Sequence, residues 1–289
     1  MNYISYIMFI IFSFFLKILP RKISLFLGRL IGRFLYHVVP IRKKVAEKNI
    51  NVNFKNLNSK KRKKILKDTY IHYGMVLVDF MRISSNNTKN INELFTIDDE
   101  SKKILDENKG SIMVTGHFGN WEYFAPFLSL NNYKFCIIAK VIKNQFLNDY
   151  IYENRKFDNV KIIFKNEGIS KMINALNENF FLGLAADQNA GKSGVKVDFL
   201  NMKISFPKGP AIFHQKTKKN ILFTYLVMDK NYNYKFKAKI LPIQKVNFEE
   251  NDYIINVTSI FSKCLEKIIL KNPSQYFWFH KIQQKSYYS

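Results

Sequence analysis

The chain opens on an uninterrupted apolar run. Residues 3–16 carry no charge, and the run reaches Leu19 if the Lys17 amine snorkels, before Pro20, Arg21 and Lys22 stop it. At about 1.5 Å per helical residue, seventeen such residues reach roughly 25 Å, the short limit for a bilayer core. No basic segment precedes the run and no small-residue cleavage site follows it, so it reads as a retained membrane helix and not as a signal peptide. Past Pro20, Lys22, Arg29, Arg33 and His37 recur at helical spacing, while Leu25, Phe26, Leu30, Ile31, Phe34 and Leu35 supply apolar surface. That is the pattern of a helix lying in the headgroup layer. The expected organisation is a membrane anchor with an interfacial helix over 1–40 and one globular domain over 41–289.

After a basic helix and a polar stretch over 84–92, short apolar runs alternate with helical patterns. Residues 111–115, 134–139, 160–164 and 181–186 read as buried strands, with helices over 120–130, 144–155 and 168–177 between them. Residues 221–227 and 234–241 add two strands, and 253–270 reads as a closing helix ended by Asn272-Pro273. The alternation predicts an α/β sheet with crossover helices. Pro126 falls inside the helix over 120–130, which is therefore kinked or short.

Composition adds a partner class. The 289 residues are 47% hydrophobic, enough to bury a core, which excludes disordered and fibrous classes. Lys plus Arg is 46 against 22 Asp plus Glu, a formal charge of +24. Such an excess predicts an anionic partner: nucleic acid, membrane surface, phosphorylated lipid or acidic protein. Enrichment in Lys, Asn and Ile together is also what an AT-rich genome produces, and that drift needs no partner. Eleven basic residues fall within 42–67, including Lys60 through Lys64, and by the positive-inside tendency they place the rest of the chain in the cytoplasm. Cys136 and Cys264 lack paired or Cys/His spacing, so neither a disulfide framework nor a zinc site is supported.

The chemistry is concentrated where the strand over 111–115 runs into Gly116-His117-Phe118-Gly119-Asn120-Trp121-Glu122. Reactive groups gather at the carboxyl ends of strands in open α/β sheets, and His117 lies at such an end. Asn120 fits as a helix N-cap, with Glu122 in the first turn. In a regular helix His117 and Glu122 would not share a face, so His117 must be on the loop, where Glu122 can hold one ring nitrogen and leave the other basic. Such a base deprotonates a hydroxyl attacking a carbonyl. A histidine in a capping turn can equally be structural. A metal reading is weaker, since the spacing is not HExxH and no third ligand is near.

Gly-His-Phe-Gly-Asn-Trp-Glu resembles the HxxxxE form of the glycerolipid acyltransferase motif in the late lipid A biosynthesis acyltransferases, the lauroyl and myristoyl transferases. Arg42-Lys43-Lys44-Val45 with Asn49 and Phe54 is similar to the family's basic N-terminal segment, and residues 144–155 to its region ending in an arginine. Ala186-Asp187-Gln188, Val197 to Phe199, Gly209-Pro210-Ala211, and Pro273 through Gln275-Tyr276, Trp278 and His280-Lys281 continue the likeness in order. The resemblance implies a mixed central sheet flanked by helices. It also implies an inner-membrane enzyme, working without a cofactor, that moves an acyl chain from acyl carrier protein to a hydroxyl of a phosphorylated glycolipid, a lipid A precursor. By the resemblance His117 is the general base and Glu122 orients it, while Asn120, Lys140, Arg155 and Asp187 serve substrate binding or architecture. Lys140 departs from the family, where many members carry arginine, so a bidentate fork is replaced by a point charge. A thioester donor needs no acyl-enzyme and no GxSxG elbow is present, so direct attack is expected, its oxyanion held by backbone amides over 116–119 or by a basic side chain.

Within the acyltransferases another glycolipid or phospholipid acceptor stays open, and three readings outside them compete. Ala186 to Ser193 loosely matches a phosphate-binding loop, but Val195, Val197 and Phe199 alternate like a strand where that loop needs a helix. Nucleic-acid binding suits the charge, but no recognition motif appears, and no nucleic-acid partner is expected. A lipid-binding protein of the same fold without activity is the third.

Overall fold

The computed structural model describes residues 3–83, 91–243, 250–283 and 285–288; most of the polar stretch over 84–92 lies outside them. Four helices come first: α1 (Tyr3–Ile18), α2 (Arg21–His37), α3 (Lys43–Asn53) and α4 (Ser59–Arg82). An alternating section follows with β1 (Phe95–Ile97), α5 (Asp99–Glu107), β2 (Ile112–Thr115), a 3-10 turn (Trp121–Tyr123), α6 (Phe124–Leu130), β3 (Phe135–Ala139), α7 (Gln145–Asn154), β4 (Val160–Phe164), α8 (Ile169–Asn177) and β5 (Phe181–Ala185). The chain ends with the hairpin β6 (Val195–Phe199) and β7 (Met202–Phe206), then α9 (Gly209–Thr217), β8 (Ile221–Met228), β9 (Tyr234–Ile240) and α10 (Glu250–Lys271).

The main sheet has the order β1-β9-β8-β2-β5-β3-β4. Strands β8, β2, β5, β3 and β4 run parallel, and β9 is antiparallel to β8, so the sheet is mixed. Central strands covered on both faces need apolar side chains on both, and β2 is buried at every position. Its alternate residues separate the core: Ile112 and Val114 join Leu182, Phe223, Phe261 and Leu265 on one side, while Met113 joins Phe127, Phe181 and Phe236 on the other. Pro126 is accommodated because the segment after Asn120 begins as a 3-10 turn. Helix α6 starts only at Phe124, leaving Pro126 in its first turn, where no amide donor is needed.

The N-terminal helix departs from expectation. No helix among the described residues is long and apolar enough to cross a membrane. Helix α1 has 16 residues, about 24 Å of rise, and the chain breaks at Pro20. One face of it is docked on the rest of the protein: Leu16 is fully buried, and the Ser13 hydroxyl donates to the Met81 carbonyl at 3.1 Å. Arg82 of α4 donates to the Leu16 and Leu19 carbonyls, satisfying the C-terminal end of α1. The opposite face, with Met8, Phe14, Phe15 and Ile18 between 58% and 67% exposed, is left open.

Helix α2 approaches α4 at backbone distance. A Cβ on Gly32 would sit 2.3 Å from the Tyr70 carbonyl oxygen, and one on Gly74 would sit 2.2 Å from that of Gly28. At one end of this crossing the Arg21 guanidinium grips fully buried Asp79 with two bonds, at 3.0 and 2.7 Å. The Tyr234 hydroxyl donates to the same carboxylate at 2.7 Å and accepts from the Asn120 amide at 3.0 Å, so α2, α4, β9 and the loop after β2 share one buried chain of bonds. Gly32→Val should force the two helices apart and cost about 1–3 kcal/mol of stability. Urea unfolding checks this; an unchanged midpoint would contradict the close crossing.

Candidate active site

Strands β2 and β5 are parallel neighbours in a register that pairs Thr115 with Ala185. Two residues past that pair, at the carboxyl edge of the sheet, stand His117 and Asp187. Parallel pairing carries both side chains to the same place, although 70 residues separate them in the chain. The Asp187 carboxylate accepts from the His117 ring nitrogen Nδ1 at 2.6 Å and from the His117 backbone amide at 2.8 Å. Two bonds from one carboxylate fix both the ring and the loop that carries it.

The partner of the imidazole is thus Asp187, where the loop sequence had suggested Glu122. Glu122 is engaged elsewhere. Arg155, at the C-terminal end of α7, forks onto it at 2.9 and 2.7 Å, and the Trp121 indole donates to it at 3.1 Å. The 3-10 turn explains the difference, since it swings Glu122 toward α7. Glu122 still acts on His117 through its charge. Burial pulls the His117 pKa down, but the charge and hydrogen bond of Asp187, together with the charge of Glu122, outweigh burial and the opposing Arg155 and leave it raised above 6.5. Burial alone would raise the Asp187 pKa; the adjacent imidazole brings it to about 2, so the carboxylate stays ionised.

The remaining residues expected in the site divide. Asn120 is fully buried on Tyr234 and makes no side-chain cap, so it is an anchor of the loop, out of reach of a ligand. Lys140 is exposed just past the end of β3. Arg155 is largely buried and committed to Glu122. Three of the four loop amides suggested for an oxyanion are taken: His117 N donates to Asp187, Phe118 N to the Gly116 carbonyl and Gly119 N to the Gln275 carbonyl. Gly119 has φ +62°, and a Cβ there would lie 1.7 Å from the Leu226 carbonyl oxygen, so only glycine fits.

Several residues named only as part of the resemblance, with no place assigned to them, also stand at the site. The segment after α10 straps the loop down: the Gln275 side chain bonds both backbone groups of Met228 at 2.9 and 2.8 Å, and Phe277 N donates to the His117 carbonyl at 2.9 Å. The Asn49 amide holds the Trp278 and His280 carbonyls. The His280 ring lies 4.6 Å from that of His117, tilted by 48°, and burial, then the His117 charge, lower its pKa to about 4. The other ring nitrogen of His117, Nε2, meets the exposed side chain of Gln188 at 3.3 Å. Among the described residues no cluster of three His, Cys, Asp or Glu could hold a metal ion.

Beside the loop runs an apolar groove of about 300 Å³, with Leu35, Ile41, Tyr70, Tyr73, Leu77 and Phe277 in its walls and Arg42 at its edge. It adjoins the histidine loop. The Tyr73 hydroxyl lies 3.3 Å from the His117 carbonyl oxygen, and the Phe277 ring 6.4 Å from the His117 ring.

An imidazole held at Nδ1 by a buried carboxylate, with an apolar groove beside its loop at the carboxyl edge of an α/β sheet, can act chemically as a general base on a substrate with an apolar arm. Comparison with known proteins gives the family: the sequence profile of the bacterial lipid A biosynthesis acyltransferases matches residues 1–284, and the chain belongs to that family, whose members are acyltransferases. It is similar to the lipid A biosynthesis palmitoleoyltransferase of Escherichia coli (strain K12), 21% identical over 268 residues that cover 91% of this chain and 85% of the relative. A lipid A biosynthesis acyltransferase of Shigella flexneri matches equally, and a phosphatidylinositol mannoside acyltransferase of Mycolicibacterium smegmatis is 27% identical over 111 residues, 37% of this chain and 36% of the relative.

The electrostatics give a signed prediction. Asp187→Asn removes the charge that raises the His117 pKa and leaves burial and Arg155 to lower it, so the ring should titrate at lower pH than in the native protein. An NMR titration of the ring protons reads this; an unchanged or higher pKa would contradict the pairing.

Proposed function

We propose that this protein transfers a fatty acyl chain from an acyl carrier protein thioester to a hydroxyl of a phosphorylated glycolipid, a precursor of lipid A, at the cytoplasmic face of the inner membrane. The observation that carries the reading is the His117–Asp187 pair, with Nε2 left to the exposed Gln188 side chain and an apolar groove beside the loop. The relatives' names supply the acceptor class. The groove volume lies at the lower end of the roughly 300–1,000 Å³ range of ligand pockets, and its apolar walls suit a hydrocarbon chain.

The reaction needs no covalent enzyme intermediate. Asp187 holds the proton on Nδ1, so Nε2 carries the lone pair and takes the proton of the acceptor hydroxyl as its oxygen attacks the thioester carbonyl. The C=O electron pair moves to oxygen, giving one tetrahedral intermediate. Its collapse re-forms the carbonyl and breaks the C–S bond, and the leaving thiolate takes the proton from the imidazolium. Asp187 stabilises that imidazolium, in keeping with the raised His117 pKa. Glu122 adds negative charge nearby and, through Arg155, joins the loop to α7.

Membrane attachment in this reading is interfacial. Ile41 and Leu77 line the groove and are 57% and 40% exposed, Leu35 of α2 lines it as well, and α2 carries the exposed Phe26, Leu30 and Phe34. A lipid acceptor could reach His117 from the bilayer without crossing water. The net charge of +24 favours both an anionic leaflet and an acidic carrier protein.

His117→Ala should lower acyl transfer by about 10²- to 10⁴-fold, assayed with purified protein, acyl carrier protein thioester and lipid A precursor in detergent micelles. Mass spectrometry of lipids from cells with and without the protein should show the loss of one secondary acyl chain. Undiminished transfer by the variant would overturn the mechanism, and unchanged lipids the acceptor assignment.

A further inference from the structure

Gln188 follows directly on Asp187, yet its side chain serves the other edge of the ring. Its amide nitrogen stands 3.3 Å from His117 Nε2. With the Nδ1 proton committed to Asp187, Nε2 offers a lone pair and the Gln188 amide is the donor to it. In the substrate-free protein this amide therefore occupies the place that an acceptor hydroxyl must take in order to give up its proton.

The loop leaves a second vacancy in the chemistry. Attack on a thioester puts negative charge on the carbonyl oxygen, and that charge needs N–H donors aimed at it. The amides of His117, Phe118 and Gly119 are spent on Asp187, the Gly116 carbonyl and the Gln275 carbonyl. Arg155 forks onto Glu122. Gln188 is exposed, and three rotatable side-chain bonds let its amide swing when a hydroxyl displaces it from Nε2.

The geometry points to Gln188 as a direct participant: its amide caps the basic nitrogen in the resting protein and, once displaced by the acceptor hydroxyl, donates to the thioester oxygen as negative charge develops there. No bond to Gln188 forms or breaks. The carbonyl oxygen gains the electron pair, the amide supplies a hydrogen bond, and the bond relaxes when C–S cleavage restores the carbonyl. This rests on the acyl-transfer reading above.

Gln188→Met keeps the length of the side chain and removes the donor. In the free protein, loss of the bond to the neutral ring should raise the His117 pKa by about half a unit in an NMR titration. In the transfer assay, kcat should fall by about 10²- to 10³-fold, as for the loss of an oxyanion donor, with KM for both substrates kept within a few-fold. A pKa that does not move overturns the cap. A kcat that does not fall, or a loss confined to KM, overturns the oxyanion role. Absence of transfer by the unaltered protein would overturn the acyl-transfer reading itself, whereas a fully active Gln188→Met protein overturns only the inference about Gln188.

Discussion

The structure turns on one carboxylate. Asp187 is fully shielded by its residue's burial, and a charge placed there is tolerable only because it is paired. Its two oxygens meet the ring and the backbone amide of the same residue, so the charge that costs desolvation also fixes the reactive side chain and its loop. The pairing follows from the parallel register of β2 and β5, which sets equal distances from Thr115 and Ala185 to the two residues.

Much of the remaining architecture keeps that loop still. From below, Asn120, Tyr234, Asp79 and Arg21 tie it to the crossing of α2 and α4. From above, the strap over 273–280 closes on it through Gln275 and Phe277, and Asn49 holds the strap in turn. Buried His72, whose pKa is lowered to about 4 by burial, adds a contact at 3.3 Å to the Gly119 carbonyl. The general base proposed for His117 needs its geometry set before the substrate arrives, and rigid support of this kind would supply that. Leu35 of α2 and Tyr70, Tyr73 and Leu77 of α4 line the adjacent groove, so the helix pair that supports the loop also walls the groove beside it.

The strands were legible because buried parallel strands are short apolar runs bounded by polar turns, and β4 over 160–164 was bounded correctly from that alone. The position of His117 at a strand end was legible for the same reason. Its partner was not: Glu122 is close in sequence, but a 3-10 turn in place of the first α-turn changes its direction, and local spacing does not reveal such a turn. Asp187 also follows a strand that the apolar pattern had marked, so the signal was present; which strands neighbour one another was the missing knowledge. Strand β7 and helix α9 were not separated from their surroundings, since their five and nine residues carry weak periodicity. The apolar terminus was read as a membrane helix because composition reports hydrophobicity without reporting that one face of α1 is already docked on Met81.

The central claim is that Asp187 keeps the proton of neutral His117 on Nδ1 and leaves Nε2 basic. Nitrogen NMR of histidine-labelled protein, at a pH above the ring's titration, reads the tautomer directly. The account predicts an Nδ1–H ring with a bare Nε2, coupled across a hydrogen bond to the Asp187 carboxylate. A ring protonated on Nε2 would contradict it, because that nitrogen could then accept no proton from a substrate.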